Sequence, residues 1–285
     1  MKDNDKGNIS SVSIEEMQNK TGLPIEIVED RQALAERFAR SVIDVAVSAQ
    51  KEYKTATVIM PVGPTGQWKL MADIAEKEKV DLSALTIIQM DEYLTPDGTA
   101  RVPVDDPFSF SGFVRKNFAE AATARCGFLP ENWLVPDPKD ISRIECEIDK
   151  RGGVDVAFAG IGLNGHIAFN EPPSYTESWT DDSFKNSFTR IIKLAETTKA
   201  TNSIFGTGGN LGRVPDLAVT IGMKQIIEAR RVHVYLDWQW QRFVLRRTLL
   251  GEVNRFFPAS FLQQHNDVRF TITREVAEPH RIEPE

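Results

Sequence analysis

The chain has 285 residues, 41% of them hydrophobic, and a formal net charge of −7. That is enough apolar residue for one large core, and the acidic balance argues against non-specific binding to nucleic acid. Its two cysteines, Cys126 and Cys146, form no CxxC pair and no metal-ligand spacing, no run approaches the roughly 18 apolar residues of a membrane span, and residues 1–20 hold no apolar signal region, so the expectation is a reduced, cytoplasmic, metal-independent protein with no membrane partner.

Taken in chain order, residues 1–20 read as a loosely ordered polar extension, and residues 21–285 as a single α/β catalytic domain. Ile25–Val28 is a short strand. Asp30 is then placed to cap a helix carrying Leu34, Phe38, Val42 and Val45 at helical spacing. A strand at Ala56–Met60 leads into Pro61-Val62-Gly63-Pro64-Thr65-Gly66, which precedes an amphipathic stretch with Leu70, Met71 and Ile74. Leu85–Met90 is a further strand, followed by a Pro- and Asp-rich segment over 96–110 and a helix over 113–124. Ile141, Ile144 and Ile148 mark another helix before a strand at Val154–Ala159.

Residues 172–188 are polar with interspersed aromatics and read as a flap over the site, and the four glycines of 206–212 as a flexible connection. Strands follow at Leu217–Ile221, Arg231–Leu236 and Val268–Thr273, with a helix over 238–250. Strands alternating with helices predict an α/β fold with an open, mostly parallel, Rossmann-like sheet and helices on both faces.

Three loops carry candidate chemistry. The loop GIGLNGHIAFNEP (160–172) follows a strand, where open α/β sheets place their sites. It sets His166 five residues from Glu171, an imidazole that a carboxylate can hold and charge near neutral pH. Its glycines Gly160, Gly162 and Gly165 permit a tight turn and a close approach of backbone to ligand. Asp91-Glu92-Tyr93 puts a carboxylate at the end of another strand, where it can take a proton from carbon. Gly63-Pro64-Thr65-Gly66 opens a helix and can offer backbone N–H groups to an anion. It is neither a Walker motif nor GxGxxG. Taken singly, each loop also reads as an ordinary turn or a surface acid. His233 reads as structural, His265 and His280 carry no pattern, Trp238 and Trp240 read as packing, and Arg242, Arg246 and Arg247 as mainly a solvated helix face.

Together, Met90-Asp91-Glu92-Tyr93, GIGLNGHIAFNEP, Thr198–Ser203 and Val214–Gly222 resemble the glucosamine-6-phosphate deaminase (isomerase) family over about residues 25–275. The related 6-phosphogluconolactonases share the histidine loop but typically continue it toward Ser-Leu-Phe-Pro, whereas Phe169-Asn170-Glu171-Pro172 follows the deaminases. The resemblance implies an enzyme without cofactor acting on an amino-sugar phosphate. His166 assists ring opening, Glu171 orients it, Asn164 stands where some members have aspartate, and Asp91 moves a proton from C2 to C1. Substrate and phosphate contacts would come from Gly63, Pro64, Thr65, Gly66, Gly165, Lys199 and Arg242.

Four positions depart from the family pattern. Gln67-Trp68 replace small or hydroxyl residues, Lys199 replaces an arginine, and Gln241 falls near the usual phosphate lysine with Arg242 beside it. A lactonase, a non-deaminating isomerase and a non-catalytic sugar sensor stay open as alternatives. A sensor would carry a helix-turn-helix, for which residues 1–24 read as too short. Homo-oligomerisation is left open.

Overall fold

The computed structural model describes residues 9–52 and 54–280. The described residues form ten strands: β1 (Ile25–Val28), β2 (Ala56–Met60), β3 (Leu85–Gln89), β4 (Asp91–Tyr93), β5 (Trp133–Leu134), β6 (Val156–Ala159), β7 (Arg190–Lys193), β8 (Leu217–Thr220), β9 (Arg231–Leu236) and β10 (Val268–Thr273). Seven of them form one sheet in the order β1-β10-β9-β6-β2-β3-β5, with every pairing parallel. The other three form an antiparallel sheet, β4-β8-β7.

The central strands are buried at every position and mostly apolar because both faces are covered. Val58, Met60, Ile87 and Phe158 point into one core, while Ile59, Ile88, Ala157 and Ala159 point into the other. Helix α2 (Arg31–Lys51) lays Leu34, Phe38, Val42 and Ile43 on the first core, and its N-terminus is capped by Asp30, whose carboxylate accepts from Ala33 N at 2.9 Å. Helix α3 (Gln67–Glu78) packs beside α2, so closely at its start that a Cβ on Gly66 would stand 2.8 Å from that of Ala35.

Two expectations need correction. The loose extension assigned to 1–20 lies outside the described residues only over 1–8. Residues Ile14–Thr21 form helix α1, closed by a Ser13/Glu16 capping box and anchored by the fully buried Met17. The second concerns helix α10 (Gln241–Leu250), whose arginines do not form a solvated face. Arg246 is wholly buried, donating to the carbonyls of Val12, Arg242 and Ala277, and so ties the N-terminal segment to the C-terminal helix α11 (Arg274–Ala277). Arg247 is also buried and donates to Glu252 O. Carbonyl partners let these cations leave water, which a hydropathy pattern does not reveal.

The small antiparallel sheet was not expected from the sequence. Leu217–Ile221, expected alongside the other strands, pairs instead with β4 and β7 and fastens the Asp91 loop to the loop after β6. Among the described residues no helix is long and apolar enough to cross a membrane.

Candidate active site

Four neighbouring parallel strands, β3, β2, β6 and β9, end at one cavity of ≈620 Å³. From them come Met90-Asp91, Pro61 to Thr65, Gly160 to Gly162 with His166, and Asp237-Trp238 with Gln241. This is the carboxyl edge of an open sheet, where the strand ends leave a crevice.

Asp91 sits on the cavity wall with 6% of its surface exposed. Burial, together with the neighbouring charge of Glu92, pushes its carboxyl up to about 8, against a backbone N–H bond from Phe169 that favours the charged form. Glu92 itself points the other way. Its oxygens accept from Phe110 N at 2.9 Å and Ser111 N at 2.7 Å, which fixes the start of helix α4 (Phe110–Val114). The same segment places Phe108, Phe110 and Phe113 on the cavity wall.

His166 also lines the cavity. Its Nδ1 is 2.8 Å from the Asn164 amide oxygen, 3.3 Å from the Thr198 hydroxyl and 3.5 Å from Glu171 Oε2. Asn164 donates in turn to Glu171 Oε2 at 2.7 Å. Burial pushes Glu171 up, but His166, Thr198 and Asn164 together outweigh it and hold the carboxyl at about 2. Glu171 is thus a fixed anion. With Nδ1 facing an acceptor, the neutral ring keeps its proton there and leaves Nε2 as the free base.

The glycines of this loop serve the protein more than the ligand. A Cβ on Gly162 would fall 2.1 Å from Cε1 of His166, so Gly162 is where the imidazole ring lies. Gly165 has φ +84°, and a Cβ there would meet the ring of Phe257 at 2.6 Å. Gly165, expected to contact substrate, is not among the residues lining the cavity. Gly66 is likewise spent on helix packing rather than on the cavity, while Gly63, Pro64 and Thr65 do line it.

The structure brings Asp91, His166, Asn164 and Glu171 together, but it places two expected anion ligands elsewhere. Lys199, on helix α8 (Glu196–Thr207), is bound to Asp216 at 2.5 Å. Arg242 donates to Glu275 O on α11 and to Glu278 just after it. Segment 172–188 is also placed elsewhere: the ring of Tyr175 lies 4.4 Å from that of Phe256 and Asp181 pairs with Arg255. The wall comes instead from 107–113 and from Asn202, Phe205 and Gly206 of α8. Trp238, taken from the sequence as packing, is part of that wall and lies 4.1 Å from the ring of Phe205. Asp237 was missed altogether; its position directly after a β-strand was the available signal. His233 is structural as expected, buried between Thr271 and Tyr235.

No protein-family model matches the chain. Among curated proteins it is 32% identical over 221 residues to the glucosamine-6-phosphate deaminase of Clostridium botulinum (strain Loch Maree / Type A3), covering 75% of this chain and 82% of that protein. The chain belongs to the glucosamine-6-phosphate deaminase family. A second member, from Clostridium beijerinckii, is 27% identical over 257 residues, covering 90% of this chain and 97% of the relative.

In solved structures the deaminase family fold recurs in a monomeric glucosamine-6-phosphate deaminase, with a TM-score of 0.75 at 24% identity, covering 90% of this chain and 99% of that one. It recurs also in the 6-phosphogluconolactonase of Trypanosoma cruzi, with a TM-score of 0.66 at 17% identity, covering 90% and 96%. The deaminase family consists of enzymes, and this chain is one of them. Among the described residues no group of three or more His, Cys, Asp or Glu side chains could hold a metal ion.

Proposed function

We propose that the chain opens the ring of a 2-amino aldose, moves a proton from C2 to C1 and releases the amine as ammonia. The observation that carries this reading is the presence on one cavity wall of a buried carboxyl and a tautomer-fixed imidazole. Nε2 of His166 takes the anomeric hydroxyl proton and delivers a proton to the ring oxygen as the C1–O5 bond breaks. Glu171 and Asn164 hold the ring and stabilise the imidazolium that forms meanwhile.

Asp91 then acts as the carbon base. An ammonium entering beside it favours its ionised form, countering the burial that keeps it neutral in the empty site. Its carboxylate removes the C2 proton. The C–H electrons form a C1–C2 double bond as the C1 carbonyl pair moves onto its oxygen, which takes a proton. The Asp91 proton then returns to C1 as the nitrogen lone pair forms the C2–N double bond. The resulting C2 iminium takes up water and expels ammonia, leaving a ketose. Amino sugar and water are consumed; ketose and ammonia are formed. The relatives carry glucosamine 6-phosphate in their names, and the shared chemistry lies at C1 and C2, away from the 6-position.

The test is amino-sugar turnover in D2O, following deuterium at C1 and C2 by NMR alongside ammonia release. The wild type is expected to show both, and Asp91→Asn neither. Exchange that survives in Asp91→Asn would remove Asp91 as the base.

A further inference from the structure

We infer that the substrate of this chain is an amino sugar without a phosphate group. The inference rests on the deaminase reading and narrows it. A phosphate dianion leaving water needs cations or several converging N–H groups. Among the described residues lining the cavity there is no lysine or arginine, and two are aspartates, Asp91 and Asp237.

Several cations and amides around the cavity are otherwise engaged. At the start of α3, Gln67 and Trp68 are fully buried and both donate back to Val62 O, at 3.3 and 3.0 Å. After β9, the amides of Asp237 and Trp238 already donate to Gln241 Oε1, each at 2.9 Å, and the Gln241 amide nitrogen is bound to Ile161 O. Lys199 is neutralised by Asp216, and Arg242 is turned to α11. Arg31 lies over the ring of Trp238 at 3.5 Å and donates to Asp237 O. What remains for an anion is the N-terminus of α3 behind Thr65. A helix terminus amounts to about half a positive charge, with the Asp237 carboxylate set against it on the same cavity.

The same wall suits an uncharged sugar bearing an amine. Phe108, Phe110, Phe205 and Trp238 give the wall apolar aromatic surface for the C–H groups of a sugar. Asp237, whose Oδ2 lies 3.8 Å from Arg31 Nε, can accept from sugar hydroxyls, and its carboxylate adds negative charge on the cavity side of that pair. A cavity of ≈620 Å³ has room for a single hexose.

The test compares kcat/KM for ammonia release from glucosamine and galactosamine with that from their 6-phosphates, using wild type, Asp237→Asn and Lys199→Ala. The unphosphorylated sugars are expected to be favoured by about 10²-fold, and Asp237→Asn to narrow the gap. Millimolar inorganic phosphate should leave turnover of glucosamine unchanged. Preference of the wild type for a 6-phosphate, lost in Lys199→Ala, would overturn the inference while leaving the deaminase reading intact. So would competitive inhibition by inorganic phosphate. Absence of both ammonia and C2 exchange from all four sugars would remove the deaminase reading, and this inference with it.

Discussion

The amide oxygen of Asn164 stands 2.8 Å from Nδ1 of His166, and the nitrogen of that same amide serves Glu171. One side chain therefore sets the histidine tautomer and neutralises part of the buried carboxylate. Asn164→Leu removes both contacts at similar volume. Losing the donor to Glu171 should cost about 1–3 kcal/mol of stability. Freeing the imidazole should lower kcat/KM by about 10²-fold on ring-closed substrate. An acyclic amino-aldehyde analogue bypasses ring opening and should lose much less. Thermal unfolding and parallel assays on the two substrates check this; equal losses on both would deny the histidine a ring-opening role.

Gly162 makes an independent claim on the same imidazole. With a Cβ placed 2.1 Å from Cε1, Gly162→Ala forces the ring of His166 off its seat. At Gly160 the nearest atom to an added Cβ is Gly63 O at 3.6 Å, an ordinary contact. Gly162→Ala is expected to reduce kcat by at least about 10²-fold, the scale of a general acid–base contribution. Gly160→Ala should fold as well as the wild type and retain more activity. A Gly162→Ala enzyme as active as the wild type would show that the ring is not held against this glycine.

Much of this was legible in the sequence, for a physical reason. Strands such as Ala56–Met60 and Leu85–Gln89 are buried on both faces and appear as apolar runs, so the parallel sheet and its carboxyl-edge loops could be read directly. Asp91, His166, Asn164 and Glu171 lie within or directly beside those loops. Residues whose role depends on a partner far along the chain were not legible. Arg246 reads as a surface cation until the carbonyl of Val12, 234 residues away, is brought to it. The dipeptide Asp237-Trp238 acquires meaning only when Phe205 arrives on another element. Lys199 stands where the resemblance puts a phosphate-binding arginine, and only the fold reveals that Asp216 holds it.

The raised pKa of Asp91 has a consequence for stability as well as chemistry. Its ordinary value is 3.8, and burial with Glu92 nearby raises it to about 8 in the folded chain. Below pH 4 the group is protonated in both states and contributes no difference. Between pH 4 and 8 the folded chain keeps a proton that the unfolded chain has lost, so stability falls as pH rises; above 8 the penalty is constant. Asp91→Asn does not titrate. It should therefore be more stable than wild type by an amount growing from near zero at pH 4 to at most about 4 kcal/mol at pH 7. It should also be inactive. Unfolding measured from pH 4 to 9 decides the matter: a pH-independent difference would mean that Asp91 is not held neutral.

Glu92 links the carbon base to the aromatic wall. Its carboxylate accepts the backbone N–H groups of Tyr93, Phe110 and Ser111, and its charge helps keep Asp91 protonated. Glu92→Gln exchanges the charge for an amide whose NH2 confronts one of those donors. A loss of about 2–3 kcal/mol is expected, as for bonds to a charged group. The segment carrying Phe108, Phe110 and Phe113 should loosen, raising KM more than it lowers kcat. With one like charge gone, Asp91 ionises at lower pH, and the acidic limb of kcat/KM should move to lower pH with it. A variant with unchanged KM and an unmoved limb would reduce Glu92 to a helix cap without influence on the site.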